Sequence, residues 1–243
     1  MIKRLGSFTL FLKQLFVNRE SPRVYGKLFF EECIRIGLDS IFIVSIVAFF
    51  VGAVSAVQTA NNMTSPFVPK YIVSLIVRDM LLLEIAPTFI GVVFAGKVGS
   101  NIAGGLGTMK ITEQIDALEV MGINSVSYLV LPKVLACVAM LPMLTTLAAF
   151  LGIYGGYVAS ILGGWLTPEE YIYGLRFEFI PFNVTFALIK ALVFGFLVST
   201  ISSFLGYNTV GGALEVGRSS TKAVTNSCIA ILVADFLLAQ LLI

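Results

Sequence analysis

Histidine is absent from the 243 residues. That one absence removes Ser-His-Asp and Cys-His nucleophilic catalysis, His-ligated metal sites and imidazole proton relays. Cysteine is scarce as well. Cys33, Cys137 and Cys228 stand far apart without metal or redox spacing and read as small apolar packing residues. The expectation is therefore no metal and no cofactor. Charge is thin too: 12% of residues are Asp, Glu, Lys or Arg, against about 25% in a soluble domain. A net charge of +2 is too small for a nucleic-acid surface, so no nucleic-acid partner is expected.

What fills the chain instead is apolar. The hydrophobic share is 58% and the mean hydropathy +0.96, as for a bundle whose surface is solvated mostly by lipid. Five segments are long and apolar enough to cross a core of about 30 Å, which takes roughly 20 helical residues. They lie near Leu38–Ala60, Tyr71–Ala103, Pro132–Leu162, Phe182–Gly206 and Ala223–Ile243, in a single domain over 1–243. The fold class is all-α: a polytopic membrane protein of five transmembrane helices, preceded by an N-terminal amphipathic helix over 1–22. In that leading stretch Leu5, Phe8, Leu12, Leu15 and Phe16 recur at helical spacing, while Lys3, Arg4, Lys13 and Arg19 stay polar. It reads as an interfacial helix ended near Pro22 rather than a cleaved signal, because Lys13, Asn18 and Arg19 break the apolar run. A soluble helix packed on another subunit is the alternative.

Orientation follows from Lys and Arg. Twelve of the 16 fall before the first span, around the second–third connection or in the fourth–fifth connection, all on one side. Lys70 and Arg176 are the basic residues of the opposite connections. The N-terminus is expected in the cytoplasm and Ile243 on the outer side. Gly163–Pro181, with Trp165, Tyr171 and Tyr173, reads as an outer aromatic segment in which Thr167 caps a short helix and Pro168 takes its first position.

Gly91–Val98 (GVVFAGKV) comes close to a phosphate loop but carries Val98 where Ser or Thr is needed and has no preceding strand. Packing accounts for it better. Gly91, Ala95, Gly99, Ala103 and Gly107 repeat every four residues, a smooth ridge for close helix approach, and Gly152, Gly155, Gly156, Ala159 and Gly163 form another. Between the second and third spans, Thr112 is a plausible N-cap and Gly122 a plausible stop for a short helix over 112–122. Ile111, Ile115, Leu118 and Met121 make its apolar stripe, and Glu113, Asp116 and Glu119 share another face. Periodicity allows either a solvated connector or a coupling helix seated in a cytoplasmic motor domain.

Ionisable groups inside spans are costly, at roughly 2.5–3.5 kcal/mol each on insertion scales. Arg78, Asp79, Glu84, Lys190 and Asp235 are such groups. Counting helical rise places the first two, Lys190 and Asp235 in one outer layer roughly 10–12 Å deep, with Glu84 deeper at roughly 20 Å. Structural ion pairs are one reading. A polar chamber opening outward, suited to an amphiphile with a charged head, is the other, and Pro87 beside Glu84 supplies a hinge.

Several runs resemble the MlaE-type permease family. They are Glu84–Pro87 (EIAP), Ala95–Ser100 (AGKVGS), Leu106–Gly122 (LGTMKITEQIDALEVMG), Gly206–Gly212 (GYNTVGG), Val216–Arg218, Thr221–Val224 and Ala234–Phe236. The likeness runs from about residue 25 to the end. Leu83 departs from the pattern, which often has Arg there, and Ala86 stands where Gly is usual. The resemblance implies the permease subunit of an ABC transporter of phospholipids between the inner and outer membranes, working as a homodimer in the cell inner membrane. It implies two cytoplasmic ABC ATPases that carry out the ATP chemistry, an MCE-domain ring on the periplasmic side and sometimes a STAS-domain protein. It further implies that the coupling helix includes Glu113, Gln114, Asp116, Leu118, Glu119 and Met121. A membrane-embedded lipid enzyme and a scaffold subunit are the readings from other classes.

Overall fold

In the computed structural model, residues 2–15, 21–63 and 69–242 are described. Phe16, Asn18, Arg19 and Ile243 lie outside them, and the side chains of Lys3, Arg4 and Leu5 are likewise not described. Among the described residues every regular element is helical. The elements are α1 (Ile2–Gln14), α2 (Pro22–Asn62), α3 (Ile72–Ile111), α4 (Gln114–Val120), α5 (Ser125–Leu162), α6 (Pro168–Arg176), α7 (Phe182–Tyr207) and α8 (Ala213–Leu242). Five of them, α2, α3, α5, α7 and α8, are long and apolar enough to span a membrane.

Several boundaries differ from the hydropathy reading, for a common reason. Hydropathy marks where lipid begins, whereas a helix continues for as long as its backbone bonds are made. Pro22 does not end a helix but opens α2, with Ser21 extended before it, because a proline ring pre-sets the dihedral needed at a first helical position. The 41 residues of α2 then reach about 62 Å, twice the apolar thickness, so its charged leading part projects past the lipid core. Helix α1 ends at Gln14, and Phe11 within it and Leu15 just after it are buried against the rest of the same chain. Phe8 and Phe11 meet Phe204 of α7 edge-on, at 5.3 and 5.5 Å between ring centroids.

Close packing holds the spans together, since lipid is as apolar as the side chains it would displace. Helix α5 is the central strut, touching α2 on one side and α7 on the other; α3 and α8 pack with α7. The small residues lie at these seams. A side chain on Gly155 or Gly52 would run into the backbone of the facing helix, at Phe49 and Gly152 respectively. On α3, Gly91 faces Phe194, Gly99 faces Ser202 and Val198, and Ala95 and Ala103 have no exposed surface. The α3 ridge thus seats α7 of the same chain.

Outside this bundle sits α6, capped as expected. The Thr167 side chain accepts from the Glu170 backbone N–H while the Thr167 N–H donates to Glu170 Oε2. Its expected aromatic surface is corrected at Tyr171. That ring is fully buried, and its hydroxyl donates to the Ile153 carbonyl at 3.0 Å. The ring can be buried whole because its polar tip finds a hydrogen-bond acceptor.

Candidate functional site

Lys190, on the inner face of α7, has no exposed surface. An ammonium carries three N–H donors, and all three are taken. Its Nζ lies 2.8 Å from Glu84 Oε1, 2.7 Å from Asp235 Oδ1 and 2.9 Å from the Leu83 carbonyl. The ring of Phe186, one helical turn earlier, covers it at 4.6 Å. Asp235 is held in turn by the Thr88 hydroxyl at 3.0 Å. Three spans therefore meet at one cation between two carboxylates.

Local chain chemistry explains the third contact. Pro87 lacks an N–H, so the carbonyl of Leu83 loses the partner that an α-helical register would supply. Residues Leu81–Phe89 are wound as a π-helix around this proline. Lys190 reaches into the widened turn and donates to the Leu83 oxygen. Pro87 therefore opens the helix and a lysine from another span closes the account of its backbone bonds. Half of the Glu84 side chain stays exposed, so the cluster is reachable from outside the bundle through that residue.

The five intramembrane charges fall into two separate groups. Glu84, counted as the deeper of the two, bonds Lys190 directly, because a lysine stem several ångströms long bridges a difference in Cα height. Arg78 and Asp79 form a separate pair at 2.9 Å. Arg78 is 3% exposed, and it donates to the carbonyls of Leu175 and Phe177 at 2.9 and 2.8 Å. Beside these carbonyls Glu178 takes a left-handed backbone with φ of 45°, which a non-glycine residue adopts at a cost. Arg78 thus clamps the α6–α7 connection in a conformation that would not hold itself.

At the other end of the molecule, the connector helix α4 begins later than expected. Thr112 is no N-cap: it closes α3, its hydroxyl donating to the Thr108 carbonyl at 2.8 Å. The turn into α4 is made by Glu113 with φ of 59°. At the far end Gly122, φ +79°, allows the N–H of Ile123 to reach back to the Leu118 carbonyl. Of the apolar stripe, Ile115 is fully buried, Leu118 half-buried and Met121 65% exposed, with Val120 beside it at 89%. The acidic face is partly engaged within the chain. Asp116 pairs with Lys110 at 2.6 Å, and Glu119 accepts from Ser125 and Tyr207 at 2.8 Å each. Glu113 and Gln114 are exposed.

Thr88, Ser125 and Tyr207 were not singled out from the sequence, since a neutral hydroxyl gains meaning only from the charge beside it. Tyr207 had one visible signal, its place in the GYNTVGG run that ends α7.

Residues 29–241 match the family described as Permease MlaE. A probable ABC transporter permease protein of Rickettsia bellii is 35% identical over 242 residues, covering 99% of this chain and 93% of the relative. One from Synechocystis is 35% identical over 240 residues, covering 99% and 91%. The Arabidopsis thaliana chloroplastic protein TRIGALACTOSYLDIACYLGLYCEROL 1 is 30% identical over 227 residues, 90% of this chain and 62% of that protein.

Proposed function

This chain belongs to the MlaE permease family, and from that membership and the buried ion cluster we propose a transporter subunit that moves phospholipids between the inner and outer membranes. The chain is a multi-pass membrane protein and an ABC permease subunit. In the proposed arrangement ATP is hydrolysed on a cytoplasmic ABC ATPase, the N-terminus is cytoplasmic and the C-terminus periplasmic. Two copies form the permease, with an MCE-domain protein on the outer side and a STAS-domain protein in some assemblies. Support for a lipid cargo comes from the Arabidopsis relative, whose name contains a galactosylated diacylglycerol.

One observation carries the reading: Lys190 holds Glu84 and Asp235 together inside the spans while Glu84 keeps an exposed edge. A charged edge inside an apolar span meets a lipid head at low cost, because the head brings its own charge where water is scarce. With every Lys190 donor engaged, the cluster is a positioned charge and not a free acid or base, which favours binding over chemistry. On the cytoplasmic side, exposed Val120 and Met121 beside the acidic residues of α4 offer a motor domain an apolar anchor with a polar rim.

The test is purification of the full chain from its native membrane, with identification of bound subunits and lipids by mass spectrometry, followed by reconstitution. The proposal expects an ABC ATPase in the complex and ATP-dependent phospholipid movement that falls at least about tenfold in Glu84→Ala. Absence of an ATPase, or unaltered movement in that variant, would overturn it.

A further inference from the structure

On the basic side of the molecule, between α2, α3 and α5, lies a cavity of about 90 Å³. Two π-wound stretches border it. Ile34–Leu38 of α2 contributes Arg35 and Ile36, and Ala95–Gly99 of α3 contributes Lys97 and Val98. Such stretches widen a helix locally and re-aim its side chains, frequently at functional sites. Lys133 enters from α5, paired with Glu32, and Lys97 donates to the Asp39 carbonyl. Each ammonium has three donors, so both keep further N–H groups for a ligand.

Two more donor side chains are unmatched among the described residues. Arg35 has no hydrogen-bond or ion-pair partner among the described residues. Ser40 is 2% exposed and lines the cavity, yet its hydroxyl has no partner among the described residues. A buried hydroxyl without a partner is a standing cost that a ligand acceptor removes. Three cationic side chains against the carboxylates of Glu32 and Asp39 leave the cavity with a positive balance, so the acceptor it favours is anionic. The volume admits several water-sized groups, enough for a tetrahedral oxyanion.

Depth decides the source of that anion. Asp39 is the last ionisable residue of α2 before the uncharged run 40–62, so the cavity sits where the apolar core gives way to headgroups. Ile34, Leu38 and Phe42, on the same stretch of α2, are 60%, 61% and 74% exposed and give lipid tails an apolar surface at that level. We propose that this cavity binds the phosphate of a membrane lipid from the leaflet on the basic side. It is separate from the Lys190 cluster and independent of the transport reading.

The test titrates the purified full chain in detergent with short-chain phosphatidylglycerol, inorganic phosphate or a short-chain diacylglycerol lacking phosphate, read by native mass spectrometry. The expected result is saturable phosphatidylglycerol binding, weakened about tenfold by Arg35→Gln or Lys97→Gln, the loss of one charged hydrogen bond. Ser40→Ala keeps the charge and removes only the hydroxyl, and it is expected to weaken binding about threefold in a chain whose ion pairs are intact. Lys27→Gln, at an exposed lysine on the same helix, is expected to bind as the parent does. Competition by inorganic phosphate at equal concentration would assign the cavity to free phosphate and overturn the lipid assignment. Equal loss in Lys27→Gln, equal binding of the phosphate-free lipid, or unchanged binding in all three cavity variants would overturn the site itself.

Discussion

Lys190 shows how much one residue carries. Removing one member of a buried ion group leaves an uncompensated charge and costs about 3–5 kcal/mol. Lys190→Ala is therefore expected to lower the protein level in the membrane more than Asp235→Ala, because it strands two carboxylates and the Leu83 carbonyl together. The Lys190→Asp/Asp235→Lys swap recovers part of the loss, since opposite charges still meet at the 2.7 Å contact. A double-mutant cycle scored by protein level checks this, and strictly additive losses would contradict it. Gly99 makes the steric counterpart. A Cβ there already sits 2.9 Å from Ser202 Oγ, so Gly99→Leu is expected to push α3 off α7 and cost about 1–3 kcal/mol, seen as earlier thermal aggregation in detergent.

Among the elements, α4 and α6 make different demands. On α4, Asp116 faces outward and pairs with Lys110 of the preceding helix, whereas Glu119 ties the helix to Ser125 and Tyr207. Asp116→Lys and Met121→Asp are expected to reduce ATPase co-purification about tenfold with membrane insertion intact. Glu119→Lys, by contrast, is expected to loosen α4 itself, raising hydrogen exchange over 114–120. Equal ATPase recovery from the parent and both surface variants would show that the motor does not seat there. On α6, the Thr167 backbone N–H holds the exposed Glu170 carboxyl below the ordinary glutamate range. A lowered value means the cap is complete above about pH 4.3, the unfolded value, and is lost as pH falls through the folded one. Amide exchange at the start of α6 is expected to rise on that acid limb, and Glu170→Gln removes the dependence.

At the scale of the molecule, five antiparallel spans place the α3–α5 connection and the α5–α7 connection on opposite sides. With every native cysteine replaced, a single cysteine at exposed Gln114 is expected to react with a membrane-impermeant maleimide only from the cytoplasmic side, and one at exposed Glu169 only from the other. Labelling of both from one side would refute the orientation. The spans, the caps at Thr167 and Gly122 and the small-residue ridges were all legible in the chain. Each depends on local chemistry: apolar run length, a hydroxyl before a proline, a residue able to take positive φ, a repeat of four. Which of Arg78, Asp79, Glu84, Lys190 and Asp235 would meet was beyond that reach. Helical rise gives a height along a span and nothing about rotation around it. By itself the sequence determined that this protein crosses a membrane five times and that its charges inside the spans need partners. Only the tertiary structure decided that Lys190 takes Glu84 and Asp235 while Arg78 turns to a loop, because partner choice depends on how α3, α7 and α8 are rotated and on the π-wound turn that Pro87 forces between them.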